Sequence, residues 1–149
     1  MHIEEAVYKI RAFNRFYMPF LNLLGNHYLG SEYSVPETRV FFEIQENDGC
    51  NAAFIAEQMN IDKSYLSRIL KNHEKNGYIF REASEMDGRS LCLHLTKKGR
   101  KRAEELIELS NAEIRSVIDP LTKNERGQLI DALETVTVLL NKTQGETEK

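Results

Sequence analysis

Asp62-Lys-Ser-Tyr-Leu-Ser-Arg-Ile-Leu-Lys-Asn-His-Glu-Lys75, followed by the paired runs Ile79–Ala83 and Ser90–Leu95 around Asp87-Gly88-Arg89, is the stretch that decides the fold. At about 100° per residue, Leu66, Ile69, Leu70 and His73 fall on one side of a helix and must pack inward. Ser64, Arg68, Lys71 and Lys75 fall on the opposite side, with Tyr65 and Ser67 on its flanks. Asp62 is placed to cap this helix, and Gly77 to end it. Two runs of alternating character separated by an Asp-Gly pair read as a β-hairpin. Upstream, Asn51 caps a short helix carrying Phe54, Ile55 and Met59, and Asn60-Ile61-Asp62-Lys63 is the turn between the two helices. A short helix, a tight turn, a second helix and a hairpin make a winged helix-turn-helix.

Working outward, the remaining segments are helical. From Glu4 to about Leu24 apolar residues recur at spacings of three and four, with a possible kink at Pro19. Ser34-Val-Pro-Glu37 has the spacing of a capping box and opens a helix from about Pro36 to Gln45. Thr96 caps a long helix to about Val117, Asp119-Pro120 interrupts, and Thr122-x-x-Glu125 caps a last helix to about Asn141. The expected class is therefore mainly α with a small β-hairpin wing: six helices in a single domain over residues 1–149. Residues 34–102 form the winged region, residues 1–33 and 103–142 hold the flanking helices, and residues 143–149 are a polar, disordered tail.

The chain has 149 residues, and its 20 Lys plus Arg against 23 Asp plus Glu leave a formal charge of -3. A chain of this size can bury a core without metal or disulfide staples. No apolar run is long enough to span a membrane, and the N-terminus lacks the pattern of a secretory signal, so a cytoplasmic location is expected. Two cysteines, Cys50 and Cys92, make no disulfide framework. The four histidines, His2, His27, His73 and His94, are scattered without metal-ligand spacing, so neither a metal nor another cofactor is expected. No nucleophile elbow or Gly-rich phosphate loop is present, which argues against an enzyme.

An acidic total argues against nucleic acid only if the charge is evenly spread. Residues 62 to 102 hold eleven basic and five acidic side chains, so this segment carries +6 and the remainder carries -9. The outward face of the helix at 63–75 has no carboxylate, whereas a merely solvated helix mixes signs at i, i+4 spacing. An all-donor face suits the acceptors of the DNA major groove and its phosphates. Short Ser64 and Ser67 let the backbone approach base edges, Arg68 reaches a guanine or a phosphate, and Lys71 and Lys75, later on the helix, suit phosphates. Arg89 at the hairpin tip is placed for the minor groove, with Asp87 to hold its guanidinium. Asp62, Lys63, Ser64, Tyr65, Ser67, Arg68, Lys71, Lys75, Arg81, Asp87 and Arg89 are the candidate DNA-binding residues.

These residues resemble the MarR family of winged-helix transcriptional regulators. The resemblance covers nearly the whole chain and is carried by Ala52-Ala-Phe-Ile-Ala-Glu-Gln-Met59, then IDKSYLSRILKNHEKNGYIFRE, then Asp87-Gly-Arg89-Ser90, then HLTKKGR from His94 to Arg100. The stretch IRAFNRFY from Ile10, with Leu29-Gly-Ser-Glu-Tyr-Ser34, is similar to a branch in which this module is fused to an acetyltransferase. The chain ends at Lys149 just after its last helix, so that activity is not expected here. The resemblance implies an obligate homodimer, with residues 1–33 and 103–142 as its dimerisation helices, on a pseudo-palindromic double-stranded operator, acting as a repressor and released by a small aromatic effector. Apolar Leu129, Ile130, Leu133, Val136, Val138, Leu139 and Leu140, more than one face of a terminal helix needs, independently favour a dimer.

Peroxide sensing is not expected, because the first helix has no cysteine. Tyr8, Phe13, Tyr17, Tyr28 and Tyr33 are candidates for an effector cavity, although an aromatic stripe at helical spacing more often forms core. His73 reads as the polar edge of a helix interface. The rival reading is a winged-helix module that binds protein, or a corepressor-like partner, without a DNA target of its own. Apolar anchors on the outward helix face would favour it; here that face is cationic and polar.

Overall fold

Helix α1 covers Ile3–Phe20 and a short 3-10 turn covers Tyr28–Gly30; α2 follows at Val35–Glu46, α3 at Ala52–Met59 and α4 at Lys63–Lys75. Strands β1 (Ile79–Ala83) and β2 (Leu91–Leu95) lead into α5 (Lys97–Ile118) and α6 (Lys123–Thr147). This computed structural model describes residues 1–21, 28–86 and 88–147. The chain divides into two compact units, Met1–Leu109 and Ser110–Lys149. None of the described helices is long and apolar enough to cross a membrane.

Apart from α1, the helix starts are set by side-chain caps. The backbone N–H of Ser34 donates to Glu37 Oε1 at 3.1 Å and that of Glu37 to Ser34 Oγ at 3.4 Å, a reciprocal capping box. Asn51 Oδ1 accepts from the Phe54 N–H at 2.8 Å, and Asp62 Oδ2 from those of Ser64 and Tyr65 at 3.1 and 3.2 Å. Asn60 sits between these helices in the left-handed region, φ 50° and ψ 50°. Asparagine tolerates that conformation better than most residues, which lets α3 end in a tight turn. In the second unit, Thr122 and Glu125 form the other box, at 2.9 and 3.1 Å.

The core of the first unit is built on one side of α4. Leu66, Ile69, Leu70 and His73 are all buried, against Val40, Phe41 and Ile44 of α2, Ile55 of α3, Leu93 and Leu95 of β2, and Leu106 of α5. Each such aliphatic side chain contributes about 1.5–3 kcal/mol on leaving water. The hairpin is antiparallel, pairing Ile79 with Leu95, Arg81 with Leu93 and Ala83 with Leu91. Thr96 joins it to α5: its hydroxyl donates to the Gly77 carbonyl at 2.6 Å and accepts from the Gly99 N–H at 3.0 Å.

Three expectations are corrected. The last helix does not stop near Asn141 but runs to Thr147, taking up residues 143–147 of the stretch read as a disordered tail. No proline interrupts it, and the Thr143 hydroxyl bonds back to the Leu140 carbonyl at 2.7 Å. The first helix ends at Phe20 with Leu21 as its cap, and residues 22–24, expected in it, lie outside the described residues. His73 is not at an edge but fully buried, with ring contacts to Phe41, Tyr33 and Tyr78. Its Nε2 lies 2.9 Å from the Glu37 carbonyl. A carbonyl can only accept, so Nε2 carries the proton.

Two expectations about stability follow. A Cβ at Gly99 would overlap the Tyr78 carbonyl, which is backbone and cannot step aside. Gly99→Ala should therefore cost about 2 kcal/mol or more, read as a lower urea midpoint at unchanged slope. Burial holds the His73 imidazole below its ordinary value of 6.5, against the opposing pull of its hydrogen bond to Glu37. The unfolded chain thus takes up the proton first, so stability is complete above about pH 6.5 and falls as the medium is acidified toward the lower folded value. Urea titrations from pH 7.5 to 5 should show this decline, and His73→Leu should flatten it.

Candidate nucleic-acid interface

The buried side of α4 fixes what its other side presents. Lys63, Ser64, Arg68, Lys71 and Lys75 are exposed, and Tyr65 and Ser67 are half-buried at the flanks. Asp62, also exposed, is engaged as the cap, so its carboxylate is turned to backbone N–H groups rather than outward. The Arg68 guanidinium lies over the Tyr65 ring, 5.7 Å from its centroid. Stacking of this kind limits the conformers of a long side chain while leaving its N–H fork available. The face is thus a row of donors, with the short serines in its first half and the lysines toward its end.

Arg81 is placed differently from the other candidates. Its Nε donates to Glu74 Oε2 on α4 at 2.9 Å, and only a quarter of its side chain is exposed. It ties β1 to α4 and so sets the hairpin beside that helix. Arg89 is exposed at the far end of the hairpin, while Asp87 lies outside the described residues. Ser84 closes the base of the tip, its N–H donating to the Ser90 carbonyl at 2.9 Å.

Two cations at the start of α5 are engaged within the fold, while Lys97, Arg100 and Lys101 are exposed. Lys98 Nζ donates to the Asn76 carbonyl at 2.8 Å and lies over the Tyr78 ring, closing the end of α4. Arg102 pairs with Glu32 at 2.7 Å and Glu105 at 3.0 Å and covers the Tyr33 ring. Several of the charges that make the segment +6 are therefore engaged within the fold. Arg68, Lys71 and Lys75 keep their charge on an open face.

Sequence reasoning missed a cleft of about 150 Å³ beside α4, lined by Ala52, Ala53, Lys63, Leu66, Ser67, Leu70 and Arg81. The available signal was the pair of alanines opening α3, which leaves space where larger side chains would fill it. Burial, with Glu43 beside it, pushes the Cys50 thiol up, so it stays protonated and poorly nucleophilic at neutral pH. Among the described residues no group of His, Cys, Asp and Glu is arranged to hold a metal ion.

Residues 33–91, from just before α2 to the start of β2, match the MarR family model. Over 148 residues the chain is 26% identical to the HTH-type transcriptional regulator SarZ of Staphylococcus epidermidis, covering 96% of this chain and 98% of SarZ. Streptococcus pneumoniae FabT, solved in complex with DNA, superposes with a TM-score of 0.69 at 24% identity, over 94% of this chain and 97% of that one. A MarR transcriptional regulator from Methanosarcina mazei superposes with a TM-score of 0.74 at 21% identity, over 89% and 99% of the two chains. These likenesses establish the winged helix-turn-helix fold.

Against a duplex, the positions on α4 would separate base reading from phosphate contact. Arg68→Ala should relax base preference by about 1–3 kcal/mol at one position of a bound duplex, whereas Lys75→Ala should weaken all sequences nearly alike. Binding to a panel of single-base variants of one site distinguishes them. A uniform loss for Arg68→Ala would reassign it to phosphate.

Proposed function

We propose that this chain, a transcriptional regulator of the MarR family, acts as a homodimeric repressor that binds a pseudo-palindromic operator and is released by a small aromatic effector. The observation that carries the reading is the α4 face on which Ser64, Arg68, Lys71 and Lys75 are exposed without a carboxylate among them. In this reading α4 enters the major groove from its N-terminal half. Ser64, Ser67 and Arg68 meet base edges, and Lys63, Lys71 and Lys75 meet the flanking phosphates. Tyr65 orients Arg68, and Arg81, held by Glu74, fixes the hairpin so that Arg89 reaches the adjacent minor groove, with Asp87 as its partner. FabT, of similar fold, was solved on DNA, which supports the same role here.

The dimer is supported by apolar surface that a single chain leaves in water. Val7, Ile10, Phe13, Phe16 and Phe20 of α1 are all exposed, as are Leu129, Ile130, Leu133, Val136, Val138, Leu139 and Leu140 of α6. Surfaces of this kind mark association, and a two-fold pair would set two α4 helices about one helical turn of DNA apart. Of the aromatic residues read as an effector site, Phe13 and Tyr17 stack at 5.2 Å on α1, whereas Tyr33 is buried in the core of the first unit. The alternative, a winged-helix module that docks protein, is disfavoured by the absence of apolar anchors on the exposed side of α4.

The reading is tested by gel shift on the DNA upstream of the chain's own coding region at several salt concentrations. Each phosphate contact releases counterions, so six contacts should cost about a thousandfold in affinity between 50 and 200 mM salt. A complex of two chains per site is expected. Binding indifferent to salt, or equal on unrelated DNA, would sink the proposal.

A further inference from the structure

The face of the hairpin opposite Arg81 holds a cluster that the interface leaves unused. His94 on β2 stands between two carboxylates from different elements. Its Nδ1 is 2.9 Å from Asp48 Oδ1, in the turn between α2 and α3, and its Nε2 is 3.4 Å from Glu82 Oε2 on β1. The uncharged Phe80 ring stacks beside the imidazole at 5.1 Å, tilted by 25°. Gly49, with φ +84°, brings the turn so close that a Cβ there would touch the imidazole. The same turn is joined to β2 by the backbone: the Gly49 N–H donates to the Leu93 carbonyl at 2.9 Å, and the Leu93 N–H to the Cys50 carbonyl at 2.8 Å.

The hairpin is thus held to the helices from both faces, by Arg81–Glu74 on one and by Asp48–His94–Glu82 on the other. The two braces differ in chemistry. A guanidinium stays charged at every physiological pH, whereas imidazole side chains change charge between about pH 5 and 8. Ionised carboxylates only accept hydrogen bonds. A neutral imidazole has one N–H, so when it donates to Asp48 it turns a lone pair toward Glu82; an imidazolium donates from both nitrogens.

We propose that His94 is a proton-operated brace: its protonation ties the wing to the α2–α3 turn, and its deprotonation loosens the wing and weakens the grip on DNA. The effect on DNA rests on the regulator reading above; the effect on the wing does not. The two carboxylates are largely exposed, which keeps the change modest.

The test is hydrogen exchange of the Gly49 and Leu93 amides in the full chain without DNA at pH 6 and pH 8, corrected for intrinsic exchange, beside DNA affinity at the same two pH values. Exposed ion pairs imply about a threefold greater protection at pH 6, absent in His94→Gln and smaller in Glu82→Gln, which leaves the imidazole in place. The buried His73 works in the opposite direction, lowering stability in acid, so it cannot mimic this result. Equal protection at both pH values, or a difference that survives His94→Gln, would overturn the brace. Amides that respond while DNA is bound at neither pH would support the brace and reject the regulator reading. Amides that respond while DNA affinity stays constant would overturn the link between wing and DNA.

Discussion

Burial of Leu66, Ile69, Leu70 and His73 against α2 and α3 fixes the rotation of α4 about its own axis, and the remainder of the interface depends on that one constraint. A helix turned by one residue, about 100°, would carry Arg68 or Lys71 toward the core, where an unpaired charge costs several kcal/mol. The apolar side therefore does more than contribute stability: it selects which side chains face outward. His73 adds direction to this packing. Aliphatic contacts tolerate some sliding, whereas the bond from its Nε2 to the Glu37 carbonyl sets α4 against the first turn of α2.

The hairpin inherits its placement from α4 through a short series of polar contacts. Arg81 reaches Glu74, the Thr96 hydroxyl reaches the Gly77 carbonyl, and Lys98 reaches the Asn76 carbonyl. Gly99 then lets the start of α5 lie directly on the Tyr78 backbone. Each contact closes the same junction, where α4 ends, the hairpin begins and α5 departs. Several cations near this interface are thus engaged in building it. Exposed cations stand on α4 and at Lys97, Arg100 and Lys101 of α5, whereas Arg81, Lys98 and Arg102 are engaged within the fold.

Much of this was legible in the chain itself. Caps at Ser34, Asn51, Asp62, Thr96 and Thr122, the alternation at Ile79–Ala83, and the two-sided character of Lys63–Lys75 depend on neighbours within a few residues, so local chemistry places the elements within one to a few positions. The end of α6 was misplaced for a complementary reason. Thr143 and Gly145 are weak helix formers, and a polar composition reads as a tail; propensity is a small term that a helix already under way can override.

Which elements form, their order, and which side of α4 is apolar are written into the chain, because they follow from caps and from periodicities of 3.6 and 2 residues. Which charges remain outside is settled by packing between distant segments. Whether Arg81, Lys98 and Arg102 meet solvent or an internal partner depends on Glu74, Asn76 and Glu32, which lie 7, 22 and 70 residues away in the chain. The same holds for His94, whose contact with Asp48 spans 46 residues. Periodicity places a side chain on a face of its own element, but the partner it meets there is chosen by packing.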